Sequence, residues 1–278
     1  MTAETVSCRS LARLESTTER GKTLNGPNHI ILHIPHDSAF IPEEEKSRYL
    51  LTDAELEEEV RRMTDHFTYQ LVEGFLPPEQ VIRAGASRLV LDVEGFTEDY
   101  REPMSNVGMG VLYEKTSDGR PLRRKLSSEE RRSLLDKWYF PHHRRLADAV
   151  NRALERFEKA LIIDIHNYPL VPLGYELSKE AQRPQICIGT DEYHTPPQLA
   201  QTALNIFRDY GFETALNTPF SGTIVPAAHY RKDPSVSSIM IEIRRDTYMD
   251  KGKGRRGMNF TETRGKLHGA LKQLREMH

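Results

Sequence analysis

The chain has 278 residues, 37% of them hydrophobic, and its 39 basic and 41 acidic side chains give a net charge of −2. This size and composition suit one large α/β domain or two small ones, and we expect one because no linker-like stretch divides the sequence. A charge so close to neutral excludes a general electrostatic attraction to nucleic acid or to an anionic membrane. A small-molecule partner is the better expectation.

The first segment, 1–27, is polar and runs into the turn-rich NGPN, so we expect a loosely packed lead-in followed by a single catalytic domain at 28–278. The longest apolar runs are far shorter than the roughly 20 residues of a transmembrane helix. The N-terminal MTAETVSCRSLARLE lacks the layout of a signal peptide, which predicts a cytoplasmic protein. Cys8 and Cys187 lie far apart and form no CxxC pair, so any metal would have to be held by histidines and carboxylates.

The first predicted strand is the apolar run HIILHIPH at 29–36. A helix is predicted after Thr52, because apolar residues then recur at helical spacing, and Asp65 and His66 would lie late in it. Neighbouring residues point about 100° apart around a helix, so at most one of these two can face a given site.

The segment 87–96, SRLVLDVEGF, is predicted as a second strand whose alternation places Arg88, Asp92 and Glu94 on one face. The stretch 97–121 is predicted as an irregular excursion with short strands. Long ordered loops of this kind are often functional.

The second half of the chain continues to alternate between strands and helices. The predicted helices are 127–159 with a kink or boundary at Pro141, about 196–210, and 261–277, and the predicted strands are 160–166, 185–191 and those near Phe212 and Met240. This alternation predicts an α/β fold with a mostly parallel or mixed central sheet and helices on both faces.

Two apolar runs end on histidines that stand beside acid or amide groups. His33 and His36 close the first run, and DIHN closes the second with Asp164 and His166. Strand ends are where open α/β sheets gather ligands and catalytic groups. Asp164 lies two residues before His166 and shares its face of the strand, so it could orient the imidazole of a metal ligand, or the two could form a hydrogen-bonded core pair. Both interpretations stay open on the residues alone.

A third apolar run, 236–246, carries a lone carboxylate, Glu242, among isoleucines. Burying it is costly unless it meets a cation, hydrogen-bond donors or a polar cavity. A salt bridge to Arg88 or Arg244 would compensate without any function. A function as general base is the alternative, because burial raises the pKa of a carboxyl group toward working pH. Histidine-tipped strands beside a buried acid are what a metal-dependent hydrolase requires.

A series of motifs follows in order along 29–249. They are HIPHDSAFIP, MTDHFT, SRLVLDVEGF with GMGVLY, YFPHHRRL, DIHNYP, RPQICIGTDEYHTP, PFSGTIVP and IMIEIRRDTYM. Together they resemble the N-formylglutamate amidohydrolase family, which is similar in fold to the zinc carboxypeptidases and the aspartoacylase-type deacylases. The resemblance implies a phosphorylase/hydrolase-like α/β sheet. It also implies a zinc-dependent hydrolase that splits N-formyl-L-glutamate into formate and L-glutamate during histidine degradation.

By analogy with that family, His36 and His166 would be the imidazole ligands of the metal and Glu242 the general acid and base. The HxxE pattern of the carboxypeptidases is absent. Asp65, in the family-like TDHFT segment, is therefore our expected third ligand, with Asp37 in reserve. Zinc is the expected ion, with cobalt and manganese as alternatives.

The remaining expected site residues support the ligands or bind substrate. His33, Asp164 and Asn167 are expected beside the ligands, Arg88 or Arg244 near the oxyanion, and Arg88 and Arg101 near the substrate carboxylates.

The sequence also departs from the family pattern. DVEGF stands where a sequence close to DVERF is usual, which places Gly95 at an arginine position, and EIRR with Arg244 replaces an EINR-like end. The substrate carboxylate could thus be held differently, or the substrate could be another N-acyl amino acid or a peptide end. A metal-free carboxylate-binding protein that kept the fold is the alternative from a different class.

Overall fold

The computed structural model describes residues 28–176, 179, 183–250 and 254–278. The predicted lead-in at 1–27 lies outside these residues. One six-stranded sheet forms the centre, in the order β2-β1-β3-β6-β4-β5. Its strands are β1 (Ile30–Ile34), β2 (Val81–Arg83), β3 (Ala160–Tyr168), β4 (Ile186–Gly189), β5 (Thr214–Leu216) and β6 (Val236–Arg244).

Strand β4 runs antiparallel to β6, and every other neighbouring pair in the sheet is parallel. The predicted mixed α/β sheet is therefore confirmed. The long strands β3 and β6 lie at its centre and are buried along almost their whole length. Strands covered on both faces read as near-continuous apolar runs, which is why both were visible in the sequence.

Helices cover both faces of the sheet. They are α1 (Glu43–Lys46), α2 (Asp53–Met63), α3 (Thr68–Val72), α4 (Ser128–Leu134), α5 (Phe140–Phe157), α6 (Pro197–Asp209) and α7 (Phe260–Met277). Helices α3, α6 and α7 share a core with one set of alternating strand residues, and α5 packs on the opposite set. None of the helices in the described ranges is long and apolar enough to span a membrane.

The strand predicted at 87–96 is wrong. The segment forms turns. The outer neighbour of β1 in the sheet is instead β2, which is only three residues long. The side chains of Leu89, Val90 and Leu91 are all buried, in two different hydrophobic clusters. Consecutive burial does not fit the alternation of a half-buried strand, since the chain turns through the interior there.

The predicted helix after Thr52 is shorter than expected. Thr52 caps α2, and Glu55 completes a capping box. The helix ends at Met63, and Phe67 adopts a left-handed conformation with φ 67° before α3 begins. Asp65 therefore lies in the connection between α2 and α3, where its side chain can turn toward the sheet.

The other predictions vary in accuracy. The C-terminal helix is confirmed as α7, and the boundary near Pro141 coincides with the start of α5, after a π-helical turn at Leu135–Tyr139. The excursion at 97–121 holds two 3₁₀ turns and one isolated bridge, between Lys115 and Pro121, rather than the expected short strands.

Candidate active site

The carboxyl ends of β1, β3 and β6 meet at one edge of the sheet because these strands are parallel. The register sets His33 beside Asp164 and His166 beside Glu242. Alternation along the strands turns these four side chains toward the face covered by α5. His36, two residues beyond β1, is buried in the same region. The two histidine-tipped runs and the acidic run therefore do converge, as the sequence predicted.

Two imidazoles and a carboxylate converge most closely. His36 Nδ1 lies 3.3 Å from His166 Nδ1, and Asp65 Oδ2 lies 3.5 Å from His166 Nδ1 and 3.9 Å from His36 Nδ1. The backbone fixes Asp65 at both ends of the contact. Its N–H donates to the carbonyl oxygen of His36 at 2.8 Å, and the N–H of Asn167 donates to its Oδ2 at 3.1 Å.

The far edges of both imidazoles contact other carboxylates. His36 Nε2 lies 2.8 Å from Asp92 Oδ1, and His166 Nε2 lies 3.0 Å from Asp164 Oδ1. The hydrogen bond to Asp92 favours a proton on His36 Nε2 and so leaves the lone pair of His36 Nδ1 available. His166 Nε2 approaches Asp164 without a hydrogen-bond partner among the described residues. Asp92, placed by a mispredicted segment, is a supporting residue that sequence reasoning did not assign.

Glu94 offers a second way to assemble three donors. Its Oε2 lies 3.6 Å from His36 Nε2 and its Oε1 lies 3.4 Å from His166 Nε2. Two sets of possible metal-holding residues include it, one with His36 and His166 and one with His33 and Asp164. The sequence grouped Glu94 with Arg88 and Asp92 on one face of a predicted strand. That grouping was the signal by which Glu94 could have been found.

The cluster is electrostatically built for a cation. Burial alone would raise the pKa of Asp65, but hydrogen bonding to His166 and the charge of His36 outweigh it and lower that pKa. Burial would likewise lower the pKa of His166, but the charges of Glu94 and Asp164 raise it well above its usual value. Several buried carboxylates therefore stabilise positive charge at this position.

Glu242 differs from the other acids. Burial raises its pKa to about 8. In the described part of the chain its Oε2 has no hydrogen-bond partner, and no ion pair links it to Arg88 or Arg244. The salt bridge that would explain its burial without a function is therefore missing from the described residues.

Comparison with known proteins identifies the family. The model of the N-formylglutamate amidohydrolase family matches residues 28–249. The chain belongs to this family.

Its relatives support the same assignment. An N-formylglutamate deformylase of Pseudomonas aeruginosa is 28% identical over 211 residues, which cover 72% of this chain and 76% of that protein. The crystal structure of an N-formylglutamate amidohydrolase from Ralstonia eutropha superimposes with a TM-score of 0.76 at 22% identity, covering 91% of this chain and 95% of that one. A gene product of Agrobacterium tumefaciens gives a TM-score of 0.63 at 18% identity, with 90% of each chain covered. The two structures establish a shared fold.

The arginines expected to bind substrate in this family member lie in different surroundings. Arg88 lies at the cluster, where Nη2 is 2.9 Å from Asp92 Oδ2 and Nε donates to the hydroxyl of Tyr113 at 2.8 Å. Arg101 is half exposed and lies over the ring of Phe96 at 4.9 Å. The described contacts of Arg101 do not include the imidazole cluster.

The C-terminal end of β6 carries two arginines with different contacts. Arg244 donates from Nε to Asp246 Oδ1 at 2.7 Å. Arg245 was not assigned from the sequence, yet its Nη2 lies 3.6 Å from Asp65 Oδ1 and its Nε donates to Asn167 Oδ1 at 2.6 Å. Arg245 therefore positions Asn167, whose backbone N–H donates to Asp65.

Two further predicted residues have structural contacts of their own. His33 Nδ1 lies 2.7 Å from Asp164 Oδ1, and its Nε2 lies 2.8 Å from His142 Nε2 on α5. Asp37, the reserve ligand, accepts hydrogen bonds from Nε and Nη2 of Arg83 at 3.0 and 2.6 Å. Its side-chain contacts in the described residues are directed to Arg83.

The family departure at Gly95 has a packing cause. A Cβ atom at this position would lie 2.8 Å from the Cα and 2.9 Å from the backbone N of Val111. The GMGVLY segment is held there by a hydrogen bond from the Asp92 N–H to the Val111 carbonyl at 2.9 Å. An arginine at position 95 does not fit this arrangement.

We therefore expect Gly95→Ala to destabilise the protein by about 1–3 kcal/mol, because the added methyl group overlaps backbone atoms. Equilibrium urea unfolding measures this change. Gly265→Ala is the matched control, since Gly265 lies in α7 with open space around its Cβ position and alanine favours a helix. Equal effects of the two substitutions would contradict the packing described for Gly95.

Proposed function

We propose that this protein is a metal-dependent amidohydrolase that cleaves N-formyl-L-glutamate into formate and L-glutamate. The observation that carries the proposal is the convergence of His36 Nδ1, His166 Nδ1 and Asp65 Oδ2 within 3.9 Å of one another, on the sheet edge that holds Glu242. Family membership and the deformylase relative support the choice of substrate.

The donor set fits a divalent ion. Donor atoms bound to tetrahedral zinc at 2.0–2.1 Å lie about 3.4 Å apart, close to the separations among His36, His166 and Asp65. We assign these three as the ligands in preference to a set with Glu94. Binding through Glu94 would require the Nε2 atoms, which contact Asp92 and Asp164.

The nitrogen and oxygen donors suit zinc, and they also suit cobalt or manganese. When bound, such an ion polarises the substrate carbonyl and lowers the pKa of water to about 7. A nearby dication also lowers the raised pKa of Glu242, so that this side chain can act as a carboxylate at neutral pH.

Glu242 then serves as general base and general acid. It accepts the proton of water as the water oxygen forms a bond with the formyl carbon, and it delivers that proton to the amide nitrogen as the C–N bond breaks. Arg88 lies at the cluster through Asp92 and is the arginine best placed to stabilise the developing oxyanion. His33 holds Asp164 in place through its Nδ1, and the backbone N–H of Asn167 holds Asp65 in place.

The wider setting follows from the same proposal. The reaction would serve histidine degradation in the cytoplasm, with 28–278 acting as a single catalytic domain and 1–27 as a lead-in. Another N-acyl amino acid is the competing substrate class, because Gly95 replaces an arginine of the family pattern.

A substrate panel tests the proposed function. Zinc-loaded protein should show its highest kcat/KM on N-formyl-L-glutamate, compared with N-acetyl- and N-succinyl-L-glutamate and with N-formyl derivatives of neutral amino acids. Higher kcat/KM on a different acyl amino acid would transfer the proposal to that substrate. Purified protein with less than half a metal ion per chain and no activity after zinc addition would favour the metal-free binding protein.

The ligand assignment makes a separate prediction. Asp65→Asn should weaken zinc binding by more than about 100-fold, because it removes a ligand, whereas Asp92→Asn should weaken it about 10–100-fold through the orientation of His36. Glu94→Gln should have the smallest effect of the three. Competition with a chelator measures all three affinities. A larger loss for Glu94→Gln than for Asp65→Asn would assign Glu94 as the ligand.

The role of Glu242 predicts a variant with metal but little turnover. Glu242→Gln should retain zinc and lose about 10²–10⁴-fold in kcat, since the amide cannot accept a proton. Metal content and steady-state rates are the measurements. Glu262→Gln, at an exposed acid on α7, is the matched control. Wild-type turnover by Glu242→Gln would overturn the assignment.

A further inference from the structure

Arg183 is a buried arginine that the proposed mechanism does not use. Its side chain is 0% exposed, and its Nη2 lies 2.6 Å from Glu176 Oε2. Its Nε and Nη1 are buried without a hydrogen-bond partner anywhere in the described residues. Two such donor groups on a buried guanidinium are unusual, because each forfeits the hydrogen bonds that water would supply.

Aromatic rings hold the Arg183 guanidinium in place. Its Cζ lies 4.8 Å from the ring centroid of Tyr168 and 5.4 Å from that of Phe220. The backbone is also anchored, since Tyr168 donates its hydroxyl hydrogen to the carbonyl of Pro184 and Arg244 donates to the carbonyl of Arg183. Nε and Nη1 are therefore presented on a rigid support.

This support adjoins the proposed catalytic acid. Tyr168 ends β3 two residues after His166, and alternation turns both toward the same face. Cys187 on β4 lies beside Glu242 in the sheet. Cys187 Sγ lies 3.2 Å from the carbonyl oxygen of Phe220, whose ring contacts Arg183, so Glu242 and the guanidinium have neighbouring residues in common.

An ion pair with Glu176 does not by itself account for Arg183. Glu176 occupies only one guanidinium nitrogen, and its other oxygen, Oε1, accepts from the N–H of Leu173 at 2.8 Å. Arg245 shows what a purely positioning arginine looks like in this protein. All three of its nitrogens donate, to Asn167 Oδ1 and to the carbonyl oxygens at 62 and 64.

We propose that Arg183 binds the side-chain carboxylate of the amino-acid part of the substrate and so selects for acidic N-acyl amino acids. This inference rests on the proposed function for the identity of the substrate. A carboxylate is the complementary acceptor, because guanidinium–carboxylate hydrogen bonds are charge-assisted. Arg183 thereby supplies the contact that Gly95 cannot make.

Binding of the product L-glutamate to zinc-loaded protein, followed by calorimetry, tests this assignment without turnover. Arg183→Met should weaken L-glutamate binding about 30-fold or more, because it removes one partner of a buried charged pair. L-Glutamine and the α-amide of L-glutamate each lack one carboxylate. In Arg183→Met, the α-amide of L-glutamate, which keeps the side-chain carboxylate, should lose affinity as L-glutamate does, and L-glutamine should lose little. The reverse pattern would overturn the selection for acidic substrates.

Controls separate recognition from folding. Arg183→Met leaves Glu176 buried without its cation, so Arg183→Met combined with Glu176→Gln should show the same ligand discrimination in a better-balanced interior. Arg123→Met removes another buried arginine, one that donates to the carbonyls of Leu89 and Val90, and should leave the ratio of affinities among the three ligands unchanged.

The outcomes are distinct. Equal losses for all three ligands, unaltered L-glutamate binding in the Arg183 variants, or no L-glutamate binding by the wild type would overturn the role of Arg183. If the wild type binds L-glutamate through Arg183 but does not hydrolyse N-formyl-L-glutamate, the proposed function fails and the carboxylate site remains.

Discussion

The imidazoles of His36 and His166 face each other across 3.3 Å, and each is held from its other edge by a carboxylate. Bringing two basic rings so close in a buried site requires surrounding negative charge and fixed backbones. The sheet fixes the backbone of His166 and Asp164, which both lie on β3. Asp92 adds a second carboxylate from the segment 87–96, which lies outside the sheet. Most other polar contacts in this region follow from that arrangement.

Charge is distributed unevenly around the two rings. Asp65, Asp92 and Asp164 all contact an imidazole, and each has its pKa lowered despite burial, because neighbouring positive charge favours the ionised form. Glu242 Oε2 has no hydrogen-bond partner among the described residues, and burial outweighs the nearby charge of His166 and raises the pKa of Glu242 to about 8. The site thus contains acids suited to holding a cation and one acid suited to exchanging a proton. This division is the basis of the catalytic roles that we propose for these residues.

The residues that we propose to select the substrate come from other parts of the chain than the imidazole cluster. The turn at 92–95 packs so tightly on Val111 that no side chain fits at Gly95. The rings of Tyr168 and Phe220 hold the guanidinium of Arg183, two of whose donor nitrogens have no hydrogen-bond partner among the described residues. Arg183 can replace the arginine that is missing at position 95, because substrate recognition depends on where the guanidinium lies and not on which segment carries it.

The central strands and the convergence of His36, His166 and Glu242 could be predicted from the sequence, because strands buried on both faces leave apolar runs and parallel strands end at a common edge. The ordered motifs also identified the family. The remaining site contacts could not be predicted from local patterns. Asp65 reaches the imidazoles because α2 ends at Met63, and Asp92 does so because 87–96 turns through the interior. Such contacts depend on long-range packing, which local periodicity does not encode.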